Sequence, residues 1–244
     1  MSETTLGLDV RTPRQRPLDA SLAVLSRLVV SERSRRWLNV AVAAMGIVIA
    51  APLMLLIALL IKLTSPGPVF YIQTRVGIDR RAARRSAQAR RRGVDRGGQP
   101  FTIYKFRTMR SDRGNGHLGP EVWAKPDDPR ITPVGRVLRQ YRLDELPQFF
   151  NVLHGDMNVV GPRPEQPKIF AKLREQIEYY PQRQRVRPGI TGWAQINQPY
   201  DSSVDDVRRK VSLDLEYVAR QSPLEDLKIM CRTLPVMLFK RGAC

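Results

Sequence analysis

The sequence predicts a mainly helical α+β protein with one apolar, membrane-length helix near its N-terminus and one larger domain after it. Three observations carry this. Leu38 to Ile61 (LNVAVAAMGIVIAAPLMLLIALLI) is a run of 24 residues without a charge. Two strand-like segments, VFYIQTRV and PFTIYKFRTM, follow it. Downstream, apolar residues recur at helical spacing almost to the end of the chain.

The 244 residues are 42% hydrophobic, enough to build a core, and carry a formal charge of +18 with a pI near 10.8. Such a surface expects an anionic partner: nucleic acid, an acidic membrane or a phosphorylated small molecule. Two cysteines, Cys231 and Cys244, exclude a disulfide framework, and with His117 and His154 they offer no zinc-ligand spacing. The start, MSETTLGLDV, is polar and acidic, unlike a signal peptide. The expected organisation is a polar segment over 1–35, a membrane helix over 36–63 and a domain over 64–244.

As a straight helix the apolar run would measure roughly 36 Å, against a hydrocarbon core of about 30 Å. Pro52 removes one internal hydrogen bond and leaves arms of roughly 21 and 15 Å, neither long enough to span alone. The flanks are equally basic: Arg27, Arg33, Arg35 and Arg36 before, Lys62, Arg75, Arg80 and Arg81 after. Keeping both flanks on one face favours a re-entrant hairpin bent at Pro52, and a kinked transmembrane helix is the alternative.

Pro66, Gly67 and Pro68 then set a turn before the two strands, which are expected to form a short hairpin. Between the strands Arg80 to Arg96 holds eight arginines against Asp79 and Asp95. It lacks the interleaved aromatics of a nucleic-acid arm, so nucleic acid is not expected as a partner; the choices left are an anionic lipid surface and a solvated loop. Beyond it, ITPVGRVLRQY and DELPQFFNVLHG read as short helices and EQPKIFAKLREQIEYY as a longer one. The following helix places Val204, Val207, Val211, Leu215 and Val218 on one stripe with Asp214 at its edge, and the last, PLEDLKIMCRTLPVMLFKRG, suits either packing or the lipid interface. GNGHLG, Gly114 to Gly119, matches a dinucleotide fingerprint literally but has no helix pattern after it, and reads as a loop.

Several short motifs present cations. Strand alternation puts Lys105 and Arg107 on one face, as a diphosphate would need. Arg163 sits between Pro162 and Pro164, and Arg187 precedes Pro188, so each is offered from a stiff turn that lowers the entropy cost of gripping phosphate. Amid them stands RLDELPQ. Asp144 would serve as an ordinary helix N-cap and Glu145 would suit the helix dipole. Chemically, an ionised Asp144 could attack phosphorus without a general base while Glu145 holds Mg²⁺.

These motifs, in the order PLMLLIALLIKLTSPGPVFYIQTRVG, PFTIYKFRTM, DPRITPVGRVLRQYRLDELPQFFNVLHGDMNVVGPRPE and RPGITGWAQIN, resemble the bacterial sugar transferases, the monotopic phosphoglycosyl transferases, over roughly Trp37 to Phe239. The resemblance implies a ping-pong reaction in the first step of exopolysaccharide or O-antigen assembly. Asp144 would attack the β-phosphate of a UDP-sugar and release UMP, and polyprenol phosphate would then take the sugar phosphate. It implies Mg²⁺ at Glu145, phosphate contacts at Lys105, Arg107, Arg142, Arg163 and Arg187, and a further acidic position at Asp214. It also implies a helix re-entrant at Pro52 and a catalytic domain with amphipathic interfacial helices on the cytoplasmic face of the bacterial inner membrane. A homo-oligomer is left open. The chain departs from the family pattern in three places: Ala51 stands where a serine usually precedes the proline, the arginine-rich loop is longer than usual, and ARQSPLEDLKI replaces an ENWS-type stretch. With about 35 polar residues before the apolar run it resembles the short form of the family. The rival expectation is a membrane-anchored basic scaffold for anionic lipid or polysaccharide, with the acids as caps.

Overall fold

The computed structural model describes residues 15–79, 98–110, 128–198 and 203–238. The arginine-rich loop and the GNGHLG segment lie outside them. The protein is mostly helical with a few short strands and one long apolar helix.

That helix, α1, runs Gln15–Thr64 and contains Pro52 in its interior. It begins inside the segment expected to be merely polar, and its helical hydrogen bonding resumes past the proline rather than ending there. Its sides differ sharply. Arg35, Asn39, Ala43, Met54, Ile57 and Ile61 are buried at spacings of four or three residues across the two arms, whereas Met45, Val48, Ile49, Leu55, Leu59 and Leu63 are exposed. The domain therefore lies along one face of α1 on both sides of Pro52, and a continuous apolar strip faces outward.

Polar clasps fix the helix at two places. Near its middle, Arg35 Nε binds Asp226 Oδ2 at 3.0 Å and Nη2 binds Tyr217 Oη at 2.6 Å, while Arg36 donates to the Val152 and Leu153 carbonyls. Asn39 Oδ1 accepts from the Val159 amide. At the far end Arg107 donates to the Pro66 and Ser65 carbonyls and to Ser65 Oγ. Buried donors and acceptors rarely stay unpaired, so these contacts define how the domain seats on the helix.

The expected hairpin forms: β1, Phe70–Val76, pairs antiparallel with β2, Pro100–Phe106. A second sheet was not expected. It is a parallel pair of β3, Asn158–Val160, and β4, Gly189–Thr191, each only three residues long and too short to show a strand pattern. Between the sheets lie α2, Pro133–Gln140, and α3, Gln148–His154, joined by a single 3₁₀ turn over Leu143–Glu145. Then follow α4, Pro167–Gln176, a 3₁₀ stretch over Tyr180–Arg185, α5, Trp193–Asn197, α6, Val204–Arg220, and α7, Pro223–Leu238.

On α6, Val207 and Val211 are buried and Leu215 and Val218 pack against the core as expected, but Val204 is exposed and the inward face also takes in Asp214 and Tyr217. Asp214 was legible only as an edge residue because a lone carboxylate reads as polar; its partner Arg183 makes it an inner one.

Candidate active site

Asp144 and Glu145 sit in the 3₁₀ turn, and neither caps a helix: the residue before α3 is Pro147, with no side-chain cap. The turn is entered through Arg142 in the left-handed conformation, φ 54° and ψ 23°, the one non-glycine residue with positive φ among the described residues. A non-glycine there stores strain, typically about 1–3 kcal/mol, which the surroundings must hold. Leu143 and Leu146 do so by packing beside Met54, Ile57 and Ile61 of α1. The acid pair is thereby fixed next to the arm of α1 that follows Pro52.

Two further elements bring cations to it. Asn151 of α3 donates to the Thr102 carbonyl and accepts from the Tyr104 amide, stitching α3 to β2 and setting Lys105 opposite the turn. Lys105 Nζ lies 2.8 Å from Glu145 Oε1 and 3.9 Å from Asp144 Oδ2. Arg163, from the loop after β3, binds Glu145 Oε1 through Nη2 at 2.7 Å and Oε2 through Nη1 at 3.4 Å. Its Nη1 also reaches Gln195 Oε1 of α5 at 3.1 Å.

Electrostatics separates the two acids. Burial by itself would raise the Glu145 pKa, but Arg163 and Lys105 outweigh it and hold the carboxyl well below its ordinary value, with Arg142 contributing. Asp144 is pushed the other way: burial raises its pKa, with Lys105 opposing and Glu145 adding to the rise. One acid is neutralised by direct contact, and the other stands close to a cation without being clamped. Asp144 is thus not the unperturbed carboxyl its residue type suggests.

Of the residues singled out in the sequence, Lys105, Arg142, Arg163, Asp144 and Glu145 converge here. Arg107, Arg187 and Asp214 do not. Arg107 follows the last residue of β2 and turns to the end of α1, so strand alternation no longer holds it beside Lys105. Arg187 Nε instead donates to the Gly155 carbonyl at 3.0 Å. Asp214 is 2% exposed and its Oδ2 accepts from Arg183 Nε at 2.7 Å. Gln195, and Arg139 of α2 whose charge opposes the rise at Asp144, went unremarked in the sequence. Gln195 lies in the GWAQIN stretch that carries part of the resemblance, the one signal available for it.

Among the described residues no group of three or more His, Cys, Asp or Glu side chains converges as a metal cage. A divalent ion held by one or two carboxylates together with ligand phosphates remains compatible with this pair, since Mg²⁺ commonly binds in that way.

A buried acid pair faced by Lys105 and Arg163 thus stands beside a helix long and apolar enough to cross a membrane. Comparison with known proteins supplies the class. Residues 30–240 match the model of the bacterial sugar transferases, and the chain belongs to that family. Similar proteins include a UDP-N-acetylgalactosamine-undecaprenyl-phosphate N-acetylgalactosaminephosphotransferase of Aeromonas hydrophila, 40% identical over 86% of this chain and 44% of its own length. An undecaprenyl-phosphate glucose phosphotransferase of Komagataeibacter xylinus is 40% identical over 91% of this chain and 40% of its own length. A UDP-glucose:undecaprenyl-phosphate glucose-1-phosphate transferase of Caulobacter vibrioides is 40% identical over 90% of this chain and 74% of its own. The chain thus spans less than half the length of the first two relatives.

Proposed function

We propose that this protein transfers a sugar 1-phosphate from a UDP-sugar to undecaprenyl phosphate, the reaction named in its relatives, as the priming step of a surface polysaccharide. The carrying observation is the division of labour in the acid pair: Glu145 is clamped by Lys105 and Arg163, while Asp144 caps nothing and lies 3.9 Å from Lys105. That leaves Asp144 without a structural duty, which supports a chemical role over the scaffold reading.

The reaction runs in two displacements at one phosphorus. An oxygen of ionised Asp144 bonds to the β-phosphorus of the donor, and the bond from that phosphorus to the bridging oxygen breaks, so UMP departs with the electron pair. The sugar phosphate is left esterified to Asp144. A phosphate oxygen of the polyprenol carrier then bonds to the same phosphorus, the Asp144 carboxylate leaves, and a polyprenyl diphosphate sugar forms. Lys105 and Arg163 neutralise the non-bridging oxygens, and Arg142 adds positive field from the strained entry to the turn. Mg²⁺, held by Glu145 and donor phosphate oxygens, would reduce repulsion between Asp144 and the incoming diphosphate.

The same reading makes α1 re-entrant at Pro52, with the domain on the cytoplasmic face of the inner membrane. Its support is the buried strip of α1, which seats both arms on one domain. A straight span would carry one arm, and with it the charged groups of the domain, through the hydrocarbon, at a cost of several kcal/mol per charge. A proline in the middle of the run provides the bend. Anionic lipid is the matching surface for the +18 chain.

The test is UMP release by the detergent-solubilised protein with Mg²⁺, undecaprenyl phosphate and a panel including UDP-glucose and UDP-N-acetylgalactosamine, run beside Asp144→Asn. Release that disappears in the variant supports the proposal. No release with any donor from folded protein would count against it.

A further inference from the structure

Behind the acid pair, the loop that carries Arg163 is fastened in an unusual way. Residues 162–165 form no helix or strand, yet all four carbonyls are engaged. Pro162 accepts from the Gly189 amide and Glu165 from the Val76 amide. The two between them are taken by guanidiniums: Arg163 by Arg183 Nη2 at 3.1 Å, and Pro164 by Arg75 Nη1 at 3.2 Å. With prolines on both sides, this segment cannot be held by a regular ladder, and side chains supply what the backbone lacks.

Arg183 is itself over-determined. Its Nε binds Asp214 Oδ2 at 2.7 Å, its Nη1 binds Tyr180 Oη at 2.9 Å and lies 3.9 Å from Glu165 Oε1, and its Nη2 holds the Arg163 carbonyl. It is 4% exposed and Asp214 is 2% exposed. Burial alone would work against the Arg183 charge, but Asp214, Tyr180 and Glu165 outweigh it. Glu165 is in turn held by Lys210 at 3.0 Å. Among the described residues none of these groups is hydrogen-bonded or ion-paired to Asp144 or Glu145, and a buried ion pair is poor evidence for stability by itself. What the cluster determines is the position of one backbone carbonyl, that of the residue whose guanidinium reaches Glu145.

We propose that Arg183, braced by Asp214 and Tyr180, is a positioning residue that aims Arg163 at the acid pair and at the donor diphosphate. This rests on the transferase reading above. It also gives Asp214 a role at one remove from the phosphates. A lysine could not replace Arg183, because one ammonium on a flexible stem cannot serve a carboxylate, a phenol and a carbonyl lying in three directions of a planar fork.

The experiment is a double-mutant cycle on UMP release: wild type, Arg183→Lys, Arg163→Ala and the double variant, each checked for helicity by circular dichroism, with kcat and KM for the UDP-sugar measured separately. Supporting groups of this kind typically contribute about tenfold or more in activity. If Arg183 acts through Arg163, Arg183→Lys lowers kcat/KM by roughly tenfold in the wild-type background and by less than about twofold when Arg163 is alanine. Equal factors in both backgrounds overturn the proposal in favour of a general structural role. Should Arg183→Lys fail to fold, Tyr180→Phe removes one brace with little change in shape and is carried through the same cycle under the same two criteria. Wild-type protein that releases no UMP overturns the transferase reading and the positioning role together, whereas wild-type turnover with additive factors overturns only the latter.

Discussion

Arg163 grips Glu145 through both arms of its guanidinium, Nη2 to Oε1 at 2.7 Å and Nη1 to Oε2 at 3.4 Å. Lys105 shares the same Oε1 at 2.8 Å. The cations that the proposed reaction assigns to a diphosphate already rest on an acid, so their orientation is established without ligand. Binding then exchanges one set of oxygens for another, and little side-chain freedom is lost in doing so.

Replacing Asp144 by Asn removes the proposed nucleophile and keeps the shape. UMP release should fall at least about 1000-fold. Stability should not fall, because burial has raised the Asp144 pKa, and a group with a raised folded pKa makes its charged form a burden to the native state. Thermal unfolding at neutral pH should show a midpoint equal to or above that of the wild type.

Lys105 is the largest influence holding the Asp144 pKa down. In Lys105→Met, Asp144 should require a higher pH to ionise, so the acid limb of the rate profile moves upward as well as the rate dropping. A profile of UMP release between about pH 5 and 8 distinguishes this from a simple loss of phosphate contact, which would lower the rate without moving the limb.

Arg107 should behave as a structural residue. Its guanidinium closes the end of α1 through Pro66 and Ser65, and a Cβ on Gly67, which has φ of 113°, would press on Arg107 Nη1. Arg107→Ala is expected to cost about 2–3 kcal/mol of stability, from lost charged hydrogen bonds to carbonyls. Gly67→Ala should destabilise as well, by more than about 1 kcal/mol from backbone strain and collision. In denaturation by heat in detergent both variants should melt earlier, with KM for the donor little changed in the fraction that remains folded.

Glu165 gives an acid-dependent contribution. Burial raises its pKa, but Lys210 and Arg183 more than offset that and bring it to about 2. A depressed folded pKa means stabilisation that is complete above the unfolded value near 4.5 and is lost as pH falls toward 2. The wild type should therefore lose on the order of 2 kcal/mol more than Glu165→Gln between pH 6 and pH 3. Unfolding midpoints of the pair at pH 6 and pH 3 test it, since the other carboxyls are common to both proteins.

The long apolar helix, the hairpin and the helices of the C-terminal half were legible because each is long enough to show its period. The parallel pair β3 and β4 was not, since three residues cannot display an alternation. In the candidate site, Lys105, Arg163, Asp144 and Glu145, singled out through short motifs with proline or paired charge, come together in space. Arg107 misled because its strand ends one residue earlier, and Asp214 because its partner Arg183, 31 residues before it, sits in a polar QRQR stretch with no apolar pattern. Long-range pairing of single charges leaves no local trace.

Leu146, one residue after the acid pair, packs against the cluster that holds Met54, Ile57 and Ile61 of α1, just past its proline. If that helix lies in lipid, the carboxylates sit beside the layer in which a long isoprenoid carrier already resides. The carrier would then find the site by sliding sideways in two dimensions and tilting its head group inward, with its chain never drawn into water. Only the nucleotide sugar would have to arrive from solution. The two half-reactions would thus draw on separate reservoirs, one planar and one bulk, meeting at a single carboxyl oxygen.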